Sequence, residues 1–164
     1  GLRMGELLAL KWKDIDFSTA QLHVRRTINR LAKYEAHAGE SKTEIVFGTP
    51  KTKNSRRTIP LTHTMIDELT RWKNLQAQDK QRAGDKFTDN GFVVTNEFGH
   101  YIEQKTFKDY YDRMLKDADV GHFTFHALRH PYVKHTTKNI SCKSRNPKPP
   151  TSGNLGFLFL LWFD

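Results

Sequence analysis

The feature that most constrains this chain is a change of character after His130. Up to that residue, short β-rich runs alternate with amphipathic helical patterns, which is typical of a packed domain. The segment Pro131–Asp164 contains four of the six prolines and one acidic residue, and it shows no periodicity before a short apolar run at its end. We therefore predict a folded domain over residues 1–130 and a basic, disordered tail over residues 131–164.

The first half of the domain predicts a helix followed by strands. A helix is predicted over residues 2–12, with one apolar face formed by Met4, Leu7 and Leu8. Even spacing predicts one strand with a buried face, formed by Leu22, Val24 and Ile28. Residues 44–48 and 57–61 are β-rich and flank a turn-rich basic connection. We predict that these two runs pair as a β-hairpin with lysines near its tip.

The second half of the domain predicts three helices. Thr62 or Thr64 caps the first, which ends before a charged loop at residues 79–91. The second covers residues 102–118, and Thr124 caps the third. The expected buried stripes of the first two are Met65, Leu69, Trp72 and Leu75, then Phe107, Tyr110, Tyr111, Met114 and Leu115. The fold class is therefore α+β, mainly helical, with a small antiparallel sheet or hairpin.

Charge and cysteine content narrow the partners and the compartment. The 27 lysines and arginines outnumber the 18 acidic residues, which gives a net charge of +9 and favours a polyanion, nucleic acid before an acidic membrane surface. Cys142 is the sole cysteine, so an intrachain disulfide and a cysteine-rich zinc site are excluded. A reducing, cytoplasmic location is expected. The longest apolar run, Leu155–Phe163, is far shorter than the roughly 20 residues that cross a bilayer, so no membrane partner is expected.

Three separated blocks carry the candidate chemistry. The first is GLRMGELLAL at residues 1–10, followed by Trp12, Asp14 and Asp16. The second is KTKNSRRTIPL at residues 51–61, and the third is TFHALRH at residues 124–130. Each block alone is weak, because an exposed arginine, a lysine-rich turn and a single His-x-x-Arg are all common.

Together and in this order, the blocks resemble the catalytic domain of the tyrosine recombinases, the phage-integrase family. The resemblance implies the fold of this catalytic domain and double-stranded DNA as the partner. It also implies strand cleavage and rejoining without a metal or nucleotide cofactor. In the family a tyrosine hydroxyl attacks the scissile phosphate, a 3′-phosphotyrosyl link forms and a 5′-hydroxyl leaves. A second strand then attacks the link, so the bond energy is conserved through covalent catalysis.

The resemblance assigns catalytic roles residue by residue. Arg3 and Arg129 match the two arginines that stabilise charge on the phosphate, a task that suits a planar, permanently charged guanidinium. His126 matches the histidine that hydrogen-bonds a phosphate oxygen or moves a proton. Lys51 matches the lysine that protonates the leaving 5′-oxygen, and Lys53 is the alternative, because a slip in register could exchange them.

Further positions receive supporting or binding roles. Glu6 matches an acidic position beside the first arginine and is expected to orient Arg3 or balance its charge. The expected DNA contacts are Lys53, Arg56 and Arg57. Three histidines spaced by four residues could in principle bind zinc, but no carboxylate or cysteine completes such a site nearby, so no metal is expected. These histidines are His122, His126 and His130.

Two parts of the family pattern have no match in this sequence. The family has a later Leu-Gly-His segment and then the nucleophilic tyrosine, whereas Tyr132 lies too close to Arg129 to match that tyrosine. The nucleophile is therefore unassigned. The family also has a helical domain before the catalytic one, and here the sequence opens inside the first motif. We expect a fragment truncated at both ends that is inactive alone. The alternative is a non-enzymatic DNA-binding remnant or interaction fragment. A homo-oligomer on DNA is possible in either case, and no small-molecule substrate is expected.

The change of character at Pro131 suggests a frameshift or rearrangement in the coding DNA. If so, another reading frame beyond codon 130 should encode a Leu-Gly-His segment and then a tyrosine at the family spacing. Translating the coding DNA in the two other frames checks this. If neither frame encodes them, the tail is a genuine replacement and the frameshift hypothesis is wrong.

Overall fold

The structure, a computed structural model, describes residues 1–34, 41–49, 56–117 and 121–127. Three α-helices lie in these ranges: α1 is Met4–Leu8, α2 is His63–Ala83 and α3 is Gln104–Asp117. The same ranges hold five β-strands: β1 is Ile15–Asp16, β2 is Gln21–Val24, β3 is Thr27–Ala32, β4 is Thr43–Gly48 and β5 is Arg57–Pro60. Helices combined with small antiparallel sheets confirm the predicted α+β class.

The five strands form two antiparallel sheets. One has the order β1-β2-β5, with Leu22 opposite Ile59 and Val24 opposite Arg57. The other is the pair β3-β4, with Ile28 opposite Phe47. The β3-β4 pair is thus inserted in the sequence between two strands that are neighbours in the first sheet.

This topology corrects two strand predictions. The runs 44–48 and 57–61 do not pair with each other, because β4 pairs with β3 and β5 pairs with β2. The single strand predicted over residues 22–28 is two strands, broken at Arg25 and Arg26, where the Arg26 guanidinium donates to the buried Asp14 carboxylate. The expected apolar face is nevertheless correct, since Leu22, Val24 and Ile28 are all buried.

The helices also differ from the predictions at their ends. Helix α1 has only five residues, and α2 continues to Ala83, through the start of the predicted loop. Thr62 caps α2, because its hydroxyl accepts a hydrogen bond from the Met65 backbone at 3.3 Å. Thr124 likewise accepts from the Ala127 backbone at 3.1 Å, as expected of a cap. The rest of the third predicted helix, residues 128–130, and the tail at residues 131–164 lie outside the described residues.

One hydrophobic core joins α1, α2, α3 and the sheets. Its fully buried side chains include Leu7, Leu8, Leu69, Trp72 and Phe107. Leu75 was expected in the buried stripe but is 39% exposed. The residue that points inward one turn after Trp72 is instead Gln76. Its amide oxygen accepts a hydrogen bond from Trp12 Nε1 at 2.6 Å, and its amide nitrogen donates to Thr95 Oγ1 at 2.7 Å.

None of the helices in the described ranges is long and apolar enough to cross a bilayer.

A close approach between α1 and β3 depends on Gly5. A Cβ atom placed on Gly5 would lie 2.7 Å from the Ile28 carbonyl oxygen and 2.7 Å from Thr27 Oγ1. The backbone oxygen cannot move aside without disturbing β3. The missing side chain therefore sets how closely the first helix packs on the inserted pair of strands.

Gly5→Ala is expected to destabilise the fold by about 1–3 kcal/mol, because the added methyl group overpacks a backbone contact. Thermal unfolding followed by circular dichroism measures the change. Gly48→Ala is the matched control, since a Cβ at Gly48 in β4 has no neighbour within 4 Å among the described residues. Equal melting temperatures for Gly5→Ala and the parent chain would contradict the close approach.

Candidate active site

Arg3 is placed at the surface by the N-terminus of α1. It is the N-cap residue, with extended backbone angles (φ −77°, ψ 155°), and its backbone N–H donates to Glu6 Oε2 at 2.8 Å. A glutamate at the third helical position that accepts from the N-cap backbone is half of a capping box. The Arg3 side chain is 55% exposed and donates from Nη1 to Glu6 Oε1 at 3.0 Å. The Arg-x-x-Glu spacing therefore holds Arg3 by both its backbone and its guanidinium.

The Glu6 carboxylate is buried and joins α1 to the sheet. Its side chain is only 3% exposed. Arg57, at the start of β5, donates from Nη1 to Glu6 Oε1 at 3.1 Å and from Nη2 to Glu6 Oε2 at 2.8 Å. Arg57 Nη2 also donates to the Gly1 carbonyl oxygen at 2.9 Å. This bidentate pair fixes the carboxylate plane, and through it the position of Arg3.

Opposing effects act on the pKa of the Glu6 carboxyl. Burial raises it, and the hydrogen bonds from Arg57 and from the backbone and side chain of Arg3 lower it more, so the net pKa lies below the ordinary value. Glu6 is therefore ionised at neutral pH. Two guanidiniums around one carboxylate leave a net positive charge beside an exposed Arg3, which suits an anion such as a phosphate.

His126 lies on a separate turn that the core anchors. The preceding residue, Phe125, is buried, with its ring centroid 5.3 Å from that of Phe107 and 5.6 Å from that of Tyr111. The His126 side chain is exposed, and the described residues include no hydrogen bond from it to Arg3 or Glu6. The structure thus brings together Arg3, Glu6 and Arg57. Three predicted site residues, Lys51, Lys53 and Arg129, lie outside the described residues.

Tyr111 belongs to the buried stripe that the sequence predicts, and the structure buries it in α3 at 5% exposure. Burial, and secondarily the negative charge of Asp112, raise the pKa of Tyr111 to about 12. A phenol with a raised pKa is harder to ionise, which disfavours attack on a phosphate.

The described part of the chain contains no group of three His, Cys, Asp or Glu residues that could hold a metal ion. Of the three histidines weighed as zinc ligands and set aside, His122 has its Nε2 3.6 Å from Asp112 Oδ1, and His130 lies outside the described residues.

Sequence reasoning assigned no role to a second buried acid, Asp14, which is 1% exposed. Its Oδ2 accepts from the Lys11 backbone at 3.1 Å and from the Arg26 guanidinium. The available signal was its place in the first block, two residues after Trp12. The pair fixes the chain between β2 and β3 against the turn that follows α1.

Comparisons with known proteins agree with these motifs. The sequence profile of the phage integrase family matches residues 1–139. A tyrosine recombinase XerC-like protein of Caldanaerobacter subterraneus subsp. tengcongensis is 38% identical over 136 residues, covering 81% of this chain and 34% of that protein. The ICEBs1 integrase of Bacillus subtilis is 30% identical over 137 residues, covering 81% of this chain and 33% of that protein. The chain therefore spans about a third of the length of these curated relatives.

Solved structures with a similar fold belong to the Tn1549 transposon integrase. Its complex with transposon right end DNA aligns with a TM-score of 0.52 at 22% identity, covering 99% of this chain and 46% of that one. Its complex with a circular intermediate DNA aligns with a TM-score of 0.55 at 19% identity, with the same coverage. At this identity the likeness shows a shared fold.

Glu6→Gln is expected to lower the free energy of unfolding at pH 7 by about 2 kcal/mol, because Arg3 and Arg57 lose their carboxylate. The folded-state pKa of Glu6 is lowered from the ordinary 4.5, so its ionic contribution is full above that value. The contribution is lost as the pH falls through the folded-state pKa. The difference in free energy of unfolding between the parent chain and Glu6→Gln should therefore become smaller at acidic pH.

Urea unfolding at a series of pH values measures this difference. Glu97→Gln, at an exposed glutamate, is the control and should leave stability unchanged. A difference for Glu6→Gln that stays constant between pH 7 and pH values well below 4.5 would be inconsistent with an ionised, paired carboxylate.

Proposed function

Because the chain belongs to the phage integrase family, we propose that it acts on double-stranded DNA in site-specific recombination or integration. The reaction is strand cleavage and rejoining through a phosphotyrosyl intermediate. The observation that carries the proposal is the buried Glu6 carboxylate, which holds the exposed Arg3 and the half-buried Arg57 in fixed geometry. The net charge of +9 supports a polyanionic partner. We place this activity in the cytoplasm.

Each step has a candidate group in this chain. A tyrosine oxygen forms a bond to the scissile phosphorus, and the bond from phosphorus to the 5′-oxygen breaks. Arg3 and Arg129 neutralise the charge that accumulates on the non-bridging oxygens. His126 hydrogen-bonds one of those oxygens or moves a proton. Lys51, or Lys53 in its place, gives the proton to the leaving 5′-oxygen, and attack by a second 5′-hydroxyl reverses these steps.

The nucleophile is the one role that these 164 residues leave open. Tyr110 and Tyr111 lie in the apolar face of α3, and Tyr132 follows Arg129 by only three positions. The attacking tyrosine would then come from outside this sequence, for instance from a neighbouring molecule in an oligomer on DNA. The chain alone binds DNA without cleaving it.

A nicked suicide duplex tests this proposal, with a pool of randomised core sequences because the target site is unknown. The chain alone should shift the duplex on a native gel and give no covalent protein–DNA band on a denaturing gel. A covalent band would show that the chain itself contains a nucleophile. Failure to bind duplex DNA even at low salt would overturn the proposed function itself.

Arg3→Ala separates assisted catalysis from simple binding. The chain is mixed with a partner molecule that supplies the tyrosine, and cleavage of the duplex is followed. Arg3→Ala should then lower the cleavage rate of the mixture by about 100- to 1,000-fold, the cost of losing one charge-stabilising donor. In a non-enzymatic DNA-binding remnant, no mixture cleaves and Arg3→Ala weakens binding only modestly. Arg71→Ala, at an exposed arginine of α2, is the matched control.

A further inference from the structure

A groove lined by arginines lies where β2 and β5 end together. Val24 and Arg57 form the last pair of the ladder, so Arg25 and Arg56 lie directly beyond the ends of these neighbouring strands. The groove has a volume of about 490 Å³. Its lining residues are His23, Val24, Arg25, Arg56, Arg57 and Thr58. We call it the arginine groove.

The charges in the arginine groove have one sign. Among the described residues that line it, three are arginines and none is acidic. Arg25 and Arg56 are exposed, and neither forms an ion pair with any of the described residues. A guanidinium cannot lose its charge in a protein, so two arginines placed side by side by the strand register create a positive potential that favours an anion.

Arg57 connects this groove to the candidate active site. Its guanidinium is engaged by Glu6 Oε1 at 3.1 Å, Glu6 Oε2 at 2.8 Å and the Gly1 carbonyl at 2.9 Å. The groove therefore begins at the residue that shares the Glu6 carboxylate with Arg3. Because Arg57 is committed to Glu6, Arg25 and Arg56 are the cations that an incoming ligand would meet.

The remaining polar groups suit a phosphate. His23 Nδ1 and Thr58 Oγ1 lie 3.1 Å apart across the two strands, so an imidazole and a hydroxyl border the arginines. Arginine and threonine side chains are common partners of backbone phosphate oxygens. The groove is open, as the backbone of a polymer requires, whereas sites for small molecules enclose most of their ligand.

We propose that the arginine groove binds a non-scissile backbone phosphate of the duplex whose scissile phosphate lies at Arg3. The inference rests on the proposed function. Arg25 and Arg56 bind the phosphodiester from the ends of two neighbouring strands, which positions the duplex without reading its sequence. Arg25 becomes a DNA-binding residue that the motifs do not indicate, and Arg57 becomes a positioning residue that links the two phosphate sites.

The test is fluorescence anisotropy of a labelled duplex, titrated with the chain at several salt concentrations. The double variant Arg25→Gln/Arg56→Gln should bind roughly tenfold more weakly near 0.1 M salt, and its plot of log Kd against log salt should be shallower by about two units. Arg71→Gln/Arg82→Gln removes the same charge from exposed sites on α2, and it should leave both quantities nearly unchanged. Single variants replace the double one if circular dichroism shows that it is unfolded.

Three other outcomes each have a defined meaning. If both double variants lose the same affinity, the effect is one of overall charge and the groove is not a site. If the parent chain binds DNA and Arg25→Gln/Arg56→Gln binds equally well, the groove proposal is wrong while the proposed function stands. If the parent chain does not bind duplex DNA, both fail.

Discussion

The arrangement of this domain depends on one buried negative charge. The Glu6 carboxylate lies in a nearly closed environment, where an uncompensated ion is costly, and it is matched by guanidiniums from two directions. Arg3 comes from the helix that carries Glu6, and Arg57 comes from a strand far away in the sequence. Satisfying the charge therefore fixes a helix against a sheet, and the same contacts present Arg3 at the surface. The contacts that stabilise the fold are therefore the same contacts that set the geometry of the site.

The residues around Glu6 follow from that requirement. Gly5 must lack a side chain, because the turn of helix that carries Glu6 meets the Ile28 backbone oxygen of β3. Asp14, a few residues later, is a second buried acid, and the Arg26 guanidinium compensates its charge. Two arginines of this basic chain, Arg26 and Arg57, thus pair with buried carboxylates. Their immediate neighbours in the sequence, Arg25 and Arg56, are exposed to solvent.

Apolar spacing was a good guide to burial and a poor guide to pairing. It identified the buried faces of Leu7 and Leu8 in α1 and of Phe107 and Leu115 in α3. It could not say that β5 pairs with β2 rather than with β4, because a period of two fixes which face is buried and not which strand lies alongside. The motif resemblance selected Arg3 and Glu6 as site residues. It could not reveal that Arg57 engages Glu6, because residue type alone does not tell whether a guanidinium faces a carboxylate or a phosphate.

The insertion of β3-β4 between β2 and β5 also bears on how the domain folds. Strands β2 and β5 are separated by a long stretch of chain, and closing such a loop costs entropy before any contact is made. The β3-β4 pair is local, so its formation shortens the effective loop and draws the ends of β2 and β5 together. Arg3 lies three positions from Glu6, so this partner is local in the sequence, whereas Arg57 reaches the carboxylate only when β5 lies beside β2. The double pairing of Glu6 is therefore a property of the closed sheet and not of the first helix alone.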